Sequence, residues 1–193
     1  MDYKFFLKGI TSIILNPEKA WITIHSDNNP IKVIQNYLLI PLILLVSVST
    51  FIGSMIFSNV ELSWIYSLFV GIKSFIALFL TIYISSFIFG EITYPLDLGK
   101  NFKISFYIIV YSTVPFLICQ ILSGLFESLL FVNILGLYGL YIFWTGTEKM
   151  LAPAHYKKMP LLIASTICIV AIYALSDLSL TKLIDRVYFH YFS

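Results

Sequence analysis

The sequence predicts an all-α polytopic membrane protein, with five transmembrane helices and amphipathic interfacial helices at both ends. Three observations carry this. Apolar residues make up 59% of the 193 residues and charged residues only 11%, about half the share of charge in soluble domains. A chain this short cannot bury so much apolar surface in one water-facing globule, so the excess must face lipid. Five apolar runs approach the ~20 residues that cross ~30 Å of hydrocarbon. Finally, lysine and arginine are spread unevenly among the connections between those runs, as they are in oriented membrane proteins.

The runs lie at about 36–57, 64–89, 104–123, 128–146 and 160–177, within a single membrane domain, 1–193. "SNVEL" and "SGLFES" are short enough to force antiparallel hairpins of spans one and two and of spans three and four. The leading segment carries Lys4, Lys8, Lys19 and Lys32, the 90–103 loop two lysines and the 147–159 loop three, against Lys182 and Arg186 in the tail. The positive-inside rule therefore places the N-terminus and both longer loops in the cytoplasm and the C-terminus outside.

Segment 1–35 is read as cytoplasmic and interfacial. Residues 1–15 contain Lys8 and no small-residue cleavage site, which argues against a signal peptide. Phe6, Leu7, Ile10, Ile13 and Ile14 recur at helical spacing, which suits a helix in the interface plane or a short helix covering the core. Asn16-Pro17 reads as an N-cap followed by proline at the first helical position of "PEKAWITIH", and Asn29-Pro30 repeats the device before span one. Trp21 reads as an interfacial anchor. In the tail, 178–193, Leu180, Leu183, Ile184, Val187, Tyr188 and Tyr191 share one face, predicting a second amphipathic helix lying on the outer surface.

Pro41 and Pro115 fall inside spans, where each leaves a carbonyl that a neighbouring helix or a Ser/Thr side chain must satisfy. Ser49/Gly53 and Thr50/Ser54 have the small-xxx-small spacing of close helix contacts.

No catalytic constellation is visible. His25, His155 and His190 are scattered, and HExxH, CxxC, GxSxG and glycine-rich phosphate-loop motifs are missing, so neither enzymatic activity nor a cofactor is expected. Cys119 and Cys168 sit in apolar runs as small hydrophobes. A net charge of +2 without a basic stripe argues against nucleic acid as a partner. The expected surroundings are the lipid bilayer and other membrane proteins or further copies of the chain.

Lys73 is a functional candidate by virtue of being an intramembrane charge. If span two starts at Trp64, it lies ~14 Å along the helix, near mid-bilayer; if the true core is 74–90, it snorkels outward. The sequence offers no acidic residue deep enough to pair with it, which favours the second placement. Gln120 and Asn133 are further polar residues within spans, and interhelical hydrogen bonds account for them.

Spans two and four end in "FGEITYP" and "TGTEKMLAP". Glu91 and Glu148 thus sit at helix C-termini, where the macrodipole opposes a negative charge. Lys149, Lys100 or Lys103 would compensate. The sharper alternative brings Glu91, Glu148 and Glu18 together around a metal cation or a partner's basic side chain.

"ILNPEKAWITI", "YSTVPFLICQIL" and "LGLYGLYIFWTGTEKMLAPAHYKK", in this order, resemble the Yip domain family. Pro17 and Trp21 lie in the first element, Tyr111 and Pro115 in the second, and Leu137, Tyr138, Leu140, Tyr141 and Gly146 in the third. The resemblance, over about 16–178, implies five spans with a cytoplasmic N-terminus. It also implies a membrane adaptor, as in eukaryotic members that bind Rab-type GTPases. This chain lacks the long cytosolic N-terminal region and a DLYGP-type element, which places GTPase binding in doubt; its compact form resembles bacterial inner-membrane members. The expected function is a non-enzymatic scaffold or adaptor acting through helix packing and a cytoplasmic face that includes Trp21, Glu91, Glu148 and His155. The alternative is a small transporter or channel using Lys73, Gln120 and Asn133, with lipid handling a third option.

Overall fold

The structure, a computed structural model, describes residues 3–57 and 64–191. The turn expected at "SNVEL" lies outside the described residues. Every regular element among those described is helical. Among the described residues, five helical segments are long and apolar enough to cross a membrane: Ile31–Phe57, Trp64–Leu96, Phe102–Leu125, Ser128–Leu151 and His155–Tyr188.

Two short helices come first. Helix α1 (Tyr3–Leu15) is a half-covered element: Ile13 is fully buried, Phe6, Ile10 and Ile14 pack against the core, and Leu7 and Leu15 face outward. Helix α2 (Pro17–Asp27) starts as expected, with Pro17 in its first turn and the Asn16 side chain accepting from the Lys19 amide. It ends at Asn28, which adopts the left-handed conformation and returns its N–H to the Ile24 carbonyl. Asn29-Pro30 does not repeat the first device. Pro30 itself occupies the N-cap position, without a side-chain cap, and the Asn29 carbonyl instead accepts the Tyr107 hydroxyl.

Helix α3 (Ile31–Phe57) contains a π-helical turn at Gln35–Leu39. Pro41 causes it. Proline offers no N–H to the carbonyl four residues back and its ring crowds that carbonyl, so the preceding turn widens to the i→i+5 pattern. The Ile40 N–H accordingly reaches the Gln35 carbonyl. The nearby hydroxyls do not repair the proline site: Ser47, Ser49 and Thr50 donate to Ile43, Leu45 and Val46 one turn back.

Helices α4 (Trp64–Thr93) and α5 (Phe102–Leu125) flank a loop with Asp97 and Gly99 at positive φ. Asn101 caps α5 by accepting from the Lys103 and Ile104 amides. Helix α5 is the centre of the bundle, with more than half of its apolar stretch buried, whereas the last helix faces mostly outward. The fourth crossing is composite. Residues Glu127–Leu137 are 3₁₀ with a kink at Leu129, and only Tyr138–Leu151 (α6) is α-helical. At ~2.0 Å rise per 3₁₀ residue, the part beyond the kink and α6 together reach roughly 35 Å, enough to match α5.

Helix α7 (His155–Tyr191) is one continuous rod of 37 residues. The tail is therefore not a separate surface helix. It prolongs the fifth span and packs along α4, where Tyr66 donates to Asp185 at 3.2 Å and stacks edge-on with Tyr188.

Small residues set the tightest crossings. A Cβ on Gly53 would lie 1.9 Å from the Gly124 carbonyl oxygen, so α3 and α5 touch backbone to backbone there. Gly124 in turn faces Thr50 and Ser49, which gives the small-residue spacing on α3 its partner. A Cβ on Gly139 would lie 2.3 Å from the Ser112 carbonyl oxygen, and Gly136 faces Phe116. Both glycines thus close on α5 around Pro115.

Candidate functional site

The elements expected from the sequence to carry function meet around Trp21. Its side chain is fully buried, which corrects the expectation of an interfacial anchor. The indole Nε1 donates to the Ile142 carbonyl at 3.1 Å, and the ring sits edge-on to Tyr111, centroids 5.7 Å apart. Gly146 lies directly against it: a Cβ there would come within 2.6 and 2.7 Å of Trp21 Cζ2 and Cε2. A tryptophan needs a partner for its N–H when buried, and the α6 backbone supplies one. The physical cause of the burial is thus a glycine-floored slot opposite α2, formed by residues more than a hundred positions further along the chain.

Neighbouring motif positions lock the same region. The Tyr138 hydroxyl donates to the Ile14 carbonyl at 2.9 Å, satisfying an acceptor in the last turn of α1. Tyr141 packs beside Tyr138 at 5.7 Å between centroids. Pro17 and Pro115 are buried, whereas Leu137 and Leu140 face outward.

The end of the bundle that carries α2 also gathers most ion pairs. Glu91 pairs with Lys100, Glu148 with Lys158 at 2.9 Å, and Asp97 with Lys157 at 3.0 Å. Lys157 also donates to the Leu96 carbonyl, and Lys103 to the carbonyl and side chain of Asn28. Glu91 thus finds a lysine named from the sequence, while Glu148 takes Lys158 rather than Lys149. The two glutamates engage separate cations instead of converging, and Glu18 projects outward from α2. Among the described residues no three of His, Cys, Asp and Glu are grouped as metal ligands. His155 is exposed at the start of α7.

Lys73 has a partner that the sequence does not reveal at once. Its Nζ lies 2.8 Å from Asp177 Oδ1 and donates to Thr181 Oγ1 at 3.1 Å. The run of apolar residues puts this acid at the end of the fifth span, but unbroken α7 carries it alongside α4. A signal exists: Tyr173, Asp177, Thr181 and Asp185 recur every four residues, a polar stripe continuing straight through the supposed boundary.

Asn133 accepts from the Ser123 hydroxyl at 3.2 Å and lines a cavity among α4, α5, α6 and α7. Neither Lys73 nor Gln120 lines that cavity. The structure therefore does not bring the three intramembrane polar candidates to one path. Ser112, which carries no distinguishing signal in the sequence, lies on the cavity wall, and its hydroxyl is buried without a partner.

A helical chain with five crossings, close glycine contacts and ion pairs concentrated at one end is an integral membrane protein of the helical-bundle class. The Yip1 domain family model matches residues 11–178. The chain belongs to this family, in keeping with the three motif elements. Neither curated proteins nor solved structures gave a match.

Proposed function

We propose that this protein is a non-enzymatic membrane scaffold or adaptor whose 193 residues act as one unit. Its contacts are made by the bundle end that carries α2, the C-termini of α4 and α6 and the start of α7. In this reading that end faces the cytoplasm of a bacterial inner membrane, consistent with the lysine distribution, and the C-terminus lies on the other side. The partner is another membrane protein or a second copy of the chain.

The observation that carries the reading is the seating of α2. Trp21 and Gly146 hold a short, polar helix rigidly against α6. Held this way, the helix displays Glu18, Lys19, Ile22 and His25 outward, on the same end as exposed Glu148 and His155. Trp21 serves this face from behind rather than as part of it. The Yip1 family is not an enzyme family, and the scattered placement of Lys73, Gln120 and Asn133 gives a transport path little support.

The test is site-specific photo-crosslinking in native membranes, with probes at Ile22, His25 and Glu148 and control probes at lipid-facing Ile134 and Leu175. The reading expects one discrete adduct from the first set, absent from the controls and lost in Trp21→Ala. Identical adducts from both sets would overturn it, and so would Lys73-dependent solute flux in proteoliposomes. Reporter fusions placing both termini on one side would overturn the topology.

A further inference from the structure

The cavity between α4, α5, α6 and α7 has a volume of about 380 Å³, within the roughly 300–1,000 Å³ of sites that enclose small ligands. Its floor is core: Ile82, Ile109, Leu117 and Phe143 are almost fully buried. Its rim is not. Leu137, Leu140 and Val170 line the cavity and are also exposed on the outside of the bundle. The mouth therefore lies where the composite fourth crossing and α7 separate, because α7 packs chiefly along α4 and only lightly on α6.

Part of the polar equipment is committed: the Thr81 hydroxyl donates to Ala77, Thr113 to Val110, and Asn133 already accepts from Ser123, while Thr166 and Tyr173 add two further hydroxyls to the α7 side of the wall. Ser112, about nine-tenths buried, keeps an unpartnered hydroxyl on the wall. Left empty, such a space forfeits the dispersion contacts of every side chain around it.

From these observations we infer that the cavity is a lateral binding site for one acyl chain of a membrane phospholipid. The reasoning is one of continuity. The apolar rim is part of the surface that a five-span bundle presents to hydrocarbon, with Ile163 and Ile167 exposed on the same helix. The medium at the mouth is therefore acyl chains, and the walls offer an entering chain the contacts an empty cavity lacks. The inference is independent of the adaptor reading, because the site faces sideways and not toward the α2 end.

The test uses the full-length protein in vesicles of phosphatidylethanolamine and phosphatidylglycerol, doped with a phosphatidylcholine carrying a diazirine on one acyl chain. After irradiation, adducts are mapped by peptide mass spectrometry. The expected result is labelling concentrated on lining residues such as Thr113, Phe116 and Ile169. Thr166→Phe, which fills the interior, should reduce it to the background of outward residues, while Ile163→Phe, on the same helix but outside the cavity, should not. Val170→Trp, at an exposed rim position where no core is overpacked, plugs the mouth and provides the same reading if Thr166→Phe misfolds. Labelling spread evenly over Ile134, Ile163 and Leu175 and indifferent to the plugs would overturn the inference. Efficient disulfide formation between two Val170→Cys chains would also overturn it, by showing the mouth covered by a second copy.

Discussion

Gly146→Ala, made alone and in combination with Trp21→Phe, tests the central packing claim. The added methyl at position 146 would sit 2.6 Å from Trp21 Cζ2 and 2.7 Å from Cε2, about 1 Å inside ordinary carbon contact. The indole cannot retreat freely, since Ile142 holds its N–H and Tyr111 its edge. Overpacking of this kind costs ~1–3 kcal/mol. Opposing it is the intrinsic preference of a helix for alanine over glycine, ~1 kcal/mol. With the ring fixed, strain wins, and the net loss should be up to about 2 kcal/mol. At roughly 2–4 °C per kcal/mol for a chain of this size, the melting midpoint falls by up to about 8 °C.

Trp21→Phe changes the sign. It removes the benzo-ring atoms Cζ2 and Cη2 that the new methyl group would strike and leaves a smaller ring with room to shift, and the Ile142 carbonyl keeps a donor in the Thr145 hydroxyl. By itself it lowers the midpoint, through one lost hydrogen bond and some lost volume. In that background Gly146→Ala should raise the midpoint, because only the helix preference remains. The assay is thermal exposure of buried Cys119 to a thiol-reactive dye in detergent, with Cys168→Ser to silence the other thiol. Additive shifts, or a Gly146→Ala midpoint at or above that of the parent protein, would refute the interlock. Coupled contacts must depart from additivity.

Gly53→Ala should be the most damaging of the glycine-to-alanine substitutions, because its Cβ meets the Gly124 backbone and not a movable side chain; loss of the monodisperse folded peak in gel filtration is the readout. Lys73→Leu and Asp177→Leu should each lower the thermal midpoint more than the double substitution does, since a single change strands a charge whose partner lies 2.8 Å away. Equal or additive shifts would refute the pairing. Tyr138→Phe should cost about 0.5–1.5 kcal/mol, the worth of its bond to the Ile14 carbonyl, and should speed proteolysis at the α1–α2 elbow. Glu148→Gln should leave the thermal midpoint close to that of the parent protein in the same assay, because the Glu148 carboxylate is open to solvent at the end of the bundle and its pair with Lys158 is screened there.

The crossings are legible in the sequence because a run of apolar residues bounded by charge has one stable solution in a bilayer. The start of α2 is legible too, since Asn16-Pro17 is a local device that needs no distant partner. Trp21 is not. A tryptophan between Lys19 and His25 reads as interfacial, and only the missing side chain at Gly146, far along the chain, makes room for it in the core. Lys73 misleads for a related reason. Charges returning from Asp177 onward resemble the end of a span, whereas α7 continues and brings that acid beside α4. The 3₁₀ stretch at 127–137 leaves no trace either, because periods of 3.0 and 3.6 cannot be distinguished where nearly every residue is apolar.

The buried motif residues share one physical role. Trp21, Tyr111, Pro115 and Gly146 gather, with Gly139 beside them, where α2 and α6 close on α5, and their contacts are fits between a large ring and a missing Cβ, or between two backbones. A set like this fixes where α2 stands on the bundle but presents nothing to a partner, since its members are turned inward. In the adaptor reading proposed above, choice of partner then lies with side chains the interlock leaves free, Ile22 and His25 on α2 and Glu148 and His155 on the adjoining ends. The two groups should separate experimentally. Ile22→Asp, at a position 58% exposed, should leave the thermal midpoint within the roughly 0.5 kcal/mol typical of surface changes while abolishing the adduct formed at His25. Gly146→Ala should lower the midpoint, and below it the same adduct should persist. If Ile22→Asp instead unfolds the protein, α2 is held by its outer face as well, and the division between a buried lock and a displayed surface fails.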